Sequence, residues 1–194
     1  LTSANLSTML HRSIEHPDTT ATLISIFGDT DRFGIHAALP AHTDFADEGA
    51  ANHIRLCADH GAPGVEVFVY GREAGESTVG FPARQTKLAS ESIARAHMLP
   101  TERSIFARQA RAAIDAGAFH NDVVCVGSLD TLFYHEHAFE ETDAVLHAIR
   151  QAGEGMFELK TVMVPEAEVP IGDAITSYLF NSQRLKWPGE DPLV

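Results

Sequence analysis

Between about residues 122 and 164 the chain reads strand, strand, helix, strand. That order predicts an α/β fold, a mixed sheet with helices outside it. Two further patterns agree. Val65-Glu66-Val67-Phe68-Val69-Tyr70 alternates β-branched and aromatic residues between Pro63-Gly64 and Gly71, as a strand does. Residues 140–152 set Val145, Leu146 and Ile149 along one side of a helix that Gly153 stops.

The other elements follow from their own signals. A polar opening, His11-Arg12-Ser13 and Glu15-His16-Pro17-Asp18, precedes a short helix through Leu23, Ile24, Ile26 and Phe27. Thr19 or Thr20 caps that helix and Gly28 ends it. Residues 29–43 read as loop, broken by Asp29, Asp31, Gly34 and Pro40. A second helix is predicted over Glu48–His60, capped by Asp44 or Asp47, covered by Ile54, Leu56 and Cys57, and ended by Gly61. On that reading Glu48 lies in the first turn, where free N–H groups favour an ionised carboxylate, and Asn52 lies one turn on along the same face. Phe81-Pro82-Ala83-Arg84-Gln85-Thr86 leads into a helix over about 87–98, Ile105-Phe106-Ala107 suits a short strand, and 110–116 a short helix stopped by Gly117. Thr131–His135 is a strand paired with its predecessor through Gly127-Ser128-Leu129-Asp130. Phe157–Val164 is another strand, and 170–187 holds a short helix and a further strand. No sequence repeat and no low-complexity segment is evident.

The chemistry concentrates in Phe119-His120-Asn121-Asp122-Val123-Val124-Cys125-Val126-Gly127. Val123, Val124 and Val126 anchor a strand in the core, and the polar residues before them can be held in fixed directions. Alternation along an extended backbone puts His120 and Asp122 on one side and Asn121 on the other, an imidazole–carboxylate pair suited to proton transfer and cation binding. The plainer reading is a strand whose polar start caps a turn.

With 194 residues the chain holds one substantial core, and 44% hydrophobic and 21% charged residues describe an ordinary globular protein. A net charge of −13, from 27 acidic and 14 basic residues, argues against nucleic acid or an anionic membrane as partner. Cys57 and Cys125 form no scaffold pattern, so reduced thiols and a cytoplasmic location are expected. No apolar run reaches the length of a membrane span, and no signal peptide is recognised. A chain that starts at Leu1 and stops at Val194 reads as an internal piece of a longer protein.

Several stretches resemble the N-succinylarginine dihydrolase family. They are His11-Arg12-Ser13-Ile14-Glu15, Asp47-Glu48-Gly49-Ala50-Ala51-Asn52-His53, residues 63–72, Pro82–Thr86, Ile114–Asp122, Leu132–Glu136 and Ser177–Gln183, and they follow the family's order along almost the entire chain. The resemblance implies a pentein (amidinotransferase-like) fold, an α/β propeller of ββαβ modules, with residues 1–194 as part of a single catalytic domain truncated at both ends. It implies hydrolysis of N2-succinylarginine to N2-succinylornithine, two ammonia and carbon dioxide within arginine catabolism, without metal or organic cofactor, by a homodimer. By resemblance Glu48 is the catalytic acid and His120 the proton shuttle, while His11, Arg12, Arg84 and Asp122 contact substrate. Arginines suit the substrate's carboxylates because the planar fork binds them bidentately.

One departure stands out. The family's nucleophilic cysteine lies in a Gly-rich segment beyond Val194, together with the asparagine before it, and the N-terminal substrate-binding segment is absent too. Neither Cys125, within the valine-rich strand, nor Cys57, read onto the second helix, has the surroundings of a nucleophile. The 194-residue piece alone is therefore expected to be inactive. Two rival readings remain: a non-catalytic guanidinium-binding module, and a metal-dependent hydrolase using His120, Asp122, His135 and His137. His36, His42, His53, His60, His97 and His147 read as surface or cap residues.

Overall fold

A computed structural model of the chain describes residues 1–77 and 80–182. The order is α1 (Leu10–Ser13), α2 (His16–Phe27), β1 (His53–Cys57), β2 (Gly64–Tyr70), α3 (Lys87–Ala96), β3 (Ser104–Arg108), α4 (Arg111–Asp115), β4 (Cys125–Ser128), β5 (Thr131–His135), α5 (Thr142–Ala152), β6 (Lys160–Val164) and α6 (Ile171–Ser177), with 3-10 turns between. The strands make two three-stranded sheets, β1-β2-β3 and β4-β5-β6. In each, the first pair is antiparallel and the second parallel. A helix makes each parallel crossover, α3 in the first sheet and α5 in the second. The molecule is thus a mixed α/β structure of two ββαβ modules, and the module expected at 122–164 has a counterpart at 53–108.

One core serves both modules. Ile54, Leu56, Val65, Val67 and Val69 of the first meet Val124, Leu132, Val145, Leu146 and Ile149 of the second. The seven residues of β2 are all buried, so it is the central strand, and its one acid, Glu66, is held by Arg55 (3.1 Å) and His53 (2.8 Å). β1 and β4 pack together, and the Cys57 N–H donates to the Leu129 carbonyl at 2.8 Å, joining the modules at the backbone. By contrast β6 is exposed along most of its length, with Val162 and Met163 open. α2 likewise buries no residue and leaves Ile24 and Ile26 in solvent.

Four sequence expectations are corrected. The helix over Glu48–His60 is a 3-10 turn, Gly49–Asn52, running into β1. Arg55 faces outward to Glu66 while Ile54 and Leu56 point inward, which is strand alternation rather than helical spacing. Cys57 therefore ends a strand. The first helix begins at His16 with Pro17 in its first turn, and Thr19 and Thr20 bond to carbonyls four residues back instead of capping it. His120-Asn121-Asp122 is not extended, because His120 caps a 3-10 turn over Asn121–Val123 and the strand starts only at Cys125. Residues 157–159 precede β6 without joining it, with Phe157 packed on the core. No strand follows α6 among the described residues, and 183–187 lie outside them. α1 forms within the polar opening, where no helix was expected, and the other helices and strands lie where expected, within a few residues at their ends.

Candidate functional site

The two residues on which the chemistry was expected to turn stand at corresponding places. Glu48 is the N-cap of the turn Gly49–Asn52 that leads into β1. His120 is the N-cap of the turn Asn121–Val123 that leads toward β4. Because β1 and β4 pack side by side, the two caps are delivered to one place. His120 Nε2 lies 2.9 Å from Glu48 Oε2, across 72 residues of sequence.

Other elements close around that contact. Asn5 fixes the N-terminal segment: its Nδ2 donates to the Phe45 carbonyl (2.7 Å), and its Oδ1 accepts from the N–H groups of Ser7 and Asp47. Thr8, so placed, donates its hydroxyl to Glu48 Oε1 at 2.6 Å, and Arg12 of α1 donates to Oε2 at 3.0 Å. The segment before α3 is tied to the chain on either side, with the Thr86 N–H on the Ala46 carbonyl and the Gly71 N–H on the Gln85 carbonyl. It thereby brings Gln85 Oε1 to accept from the Glu48 N–H (2.7 Å) and Arg84 to within 3.8 Å of Glu48 Oε2. The Arg84 guanidinium lies over the Phe119 ring, 4.3 Å from its centroid, and its Nε is buried without a partner among the described residues.

The electrostatics follow. The Glu48 side chain is 0% exposed, and burial alone would raise its carboxyl. Hydrogen bonds from His120 and Thr8, with the charges of His120 and Arg12, outweigh burial and hold it below the ordinary carboxylate value. An ionised carboxylate is an acceptor, so His120 Nε2 carries the proton in this contact. Asp122 goes the other way. Half-buried, with Oδ1 lacking a partner among the described residues, it is raised by burial against the opposing charge of His120. A cation arriving at Asp122 would relieve that burial cost.

Glu48, His120, Asp122, Arg12 and Arg84 thus form one neighbourhood, while His11 is exposed on α1 and, among the described residues, makes no hydrogen bond or ion pair with the Glu48 cluster. Sequence reasoning missed Thr8, Gln85, Phe119 and Asn5 as parts of the site. Thr8 and Asn5 carry no local signal, whereas Phe119 adjoins His120 and Gln85 adjoins Arg84 in the motifs. Neither thiol has a nucleophile's setting: both are buried, and desolvation pushes Cys125 far up. The metal reading finds no support in the arrangement. Among the described residues no group of three or more His, Cys, Asp or Glu is placed to hold a metal ion. His120 is taken by Glu48, and His135 lies buried between the Val169 carbonyl and the His137 N–H.

The family model for succinylarginine dihydrolase matches residues 1–194. The chain belongs to the succinylarginine dihydrolase family. Among relatives of this family, N-succinylarginine dihydrolase 2 of Caulobacter vibrioides is 55% identical over 194 residues, 100% of this chain and 43% of the relative. N-succinylarginine dihydrolases of Burkholderia mallei and Marinobacter nauticus are 52% and 53% identical over 188 residues, each 95% of this chain and 42% of the relative. The chain therefore spans under half the length of the curated relatives it matches. Among the described residues no helix is long and apolar enough to cross a membrane.

Proposed function

We propose that the full-length protein containing this chain hydrolyses N2-succinylarginine to N2-succinylornithine, two ammonia and carbon dioxide, consuming two waters. The observation that carries this reading is the Glu48–His120 contact with two arginines at its border, in a chain of the succinylarginine dihydrolase family. A guanidinium carbon is a poor electrophile because its charge is delocalised, so the substrate must be clamped and oriented before attack. Asp122, desolvated and with Oδ1 lacking a partner among the described residues, takes the guanidinium N–H groups. Arg12 and Arg84 are neutralised by Glu48 only in part and keep donors for the substrate's carboxylates, with His11 at the rim.

In this mechanism a cysteine outside Leu1–Val194 attacks the guanidinium carbon. His120 gives its Nε2 proton to the departing ammonia and then removes a proton from the water that cleaves the covalent intermediate. Glu48, ionised, accepts from the imidazole and stabilises its protonated form, so that His120 is the group that gives and takes the proton. The second ammonia leaves by a repeat of the same steps on the ureido product, and the carbamate left on the ornithine nitrogen loses carbon dioxide to give N2-succinylornithine. The reading carries the rest of the family expectation: a pentein propeller in which the two modules are neighbouring blades of a single catalytic domain, a homodimer, a cytoplasmic location and no cofactor. The exposed faces of β6 and α2 agree with further structure packing there.

The test is ammonia release by the full-length gene product on N2-succinylarginine against free arginine. Turnover of the succinylated substrate with little or none on arginine supports the proposal. Tight binding without ammonia release by the intact protein would replace it with the guanidinium-binding module.

A further inference from the structure

Glu48 and His120 are contributed by different modules, and a 2.9 Å contact between them requires the two caps to hold their relative position. Apart from that contact, one side chain cross-links the two turns. Asn52, last residue of the turn that Glu48 caps, accepts the backbone N–H of Asn121, first residue of the turn that His120 caps, through Oδ1 at 2.9 Å. Both residues are buried, and among the described residues the Asn52 Nδ2 has no partner. The Asn52 side chain is therefore committed to the neighbouring module through one oxygen. Its acceptor meets a main-chain donor, so the bond fixes backbone position irrespective of the side chain at 121.

We propose that Asn52 is a positioning residue for the reaction: its carbonyl oxygen sets the backbone after His120 against the backbone after Glu48, and so aligns the imidazole with the carboxylate. The inference rests on the function proposed above. Misplacing a proton donor by a fraction of an ångström to an ångström costs rate more than binding. Arg12, Arg84 and Asp122, the groups proposed to hold substrate, receive no bond from Asn52, so affinity should survive its loss.

The experiment compares Asn52→Leu and Asn52→Asp in the full-length protein. Leucine keeps the volume and deletes the acceptor; aspartate keeps the acceptor and exchanges Nδ2, which has no partner among the described residues, for a second carboxyl oxygen at a buried position. For Asn52→Leu the expected result is a kcat lower by roughly tenfold to a hundredfold, with KM within about twofold. The ring 15N signals of His120 should shift, and Asn52→Asp should recover most of the loss in both readouts. Should Asn52→Leu not fold, Asn52→Ala carries the same expectation. Unchanged kcat and unchanged His120 signals in a variant that has merely lost thermal stability overturn the inference. If the wild-type protein releases no ammonia from N2-succinylarginine, the function proposal fails instead. The His120 signals then decide the alignment role by themselves.

Discussion

A double-mutant cycle on Glu48 and His120 probes the site most directly. Glu48→Gln keeps volume and an oxygen for the Thr8 hydroxyl but removes the charge facing His120, Arg12 and Arg84. Breaking a fully buried ion pair costs about 3–5 kcal/mol. Here Arg12 is 30% and His120 21% exposed, so the stability loss should be nearer ~2 kcal/mol, leaving a folded protein to assay. General acid–base catalysis contributes roughly 10²–10⁴-fold, so Glu48→Gln and His120→Ala should each lower the ammonia-release rate by about 10³-fold, or ~4 kcal/mol. Groups acting as one unit do not lose rate independently. With Oε2 and Nε2 2.9 Å apart and the carboxylate fully buried, the double variant should fall only about 10³–10⁴-fold. A double loss near the ~10⁶ product of the single losses would show that the two residues act separately, and the catalytic assignment would go with it.

Three further outcomes are expected. Arg84→Ala should raise the apparent KM for N2-succinylarginine by about tenfold or more with a smaller change in kcat, since a charge-assisted bond contributes about 1.5–3 kcal/mol; an unchanged saturation curve counts against a binding role. Asp122→Asn should weaken substrate binding yet stabilise the unliganded protein near neutral pH by on the order of 1 kcal/mol. The sign follows from burial, which raises the Asp122 carboxyl: the cost of its ionised form is absent at low pH and appears as pH rises through the folded value, so the gain in denaturant midpoint should vanish on acidification. Gly127→Ala should cost about 1–3 kcal/mol, because a Cβ there overlaps Ile54 Cγ2 and comes within 3.1 Å of Leu56 Cδ2 where β4 packs on β1. Denaturation at wild-type stability would refute a close packing of β4 on β1 at this position.

Much of the second module was legible because its signals are local. The short connection between β4 and β5, the apolar side of α5 and its Gly153 stop all lie within a few residues of what they determine. The first module was harder to see. Ile54, Leu56 and Cys57 fit a helix face or a strand about equally well, and what decides is Arg55 opposite Glu66 in the β1–β2 register, which no local window contains. The likeness of the two modules was hidden for a related reason. The loop from β2 to α3 spans 71–86 while that from β5 to α5 spans 136–141, so equivalent elements never recur at a fixed sequence period.

Local reading also mistook how these residues are brought together. Alternation on a strand was the argument for placing His120 beside Asp122, yet those residues occupy the cap and interior of a 3-10 turn. What the two site residues share is their place in a module: Glu48 stands five positions ahead of His53, and His120 five ahead of Cys125, the first residues of β1 and β4. Packing equivalent strands side by side brings equivalent caps together, so a carboxylate in one module faces an imidazole in the other. A site formed in this way depends on the junction between modules as much as on its own side chains. Substitutions there, at Gly127 or Asn52, should reach the chemistry without touching substrate.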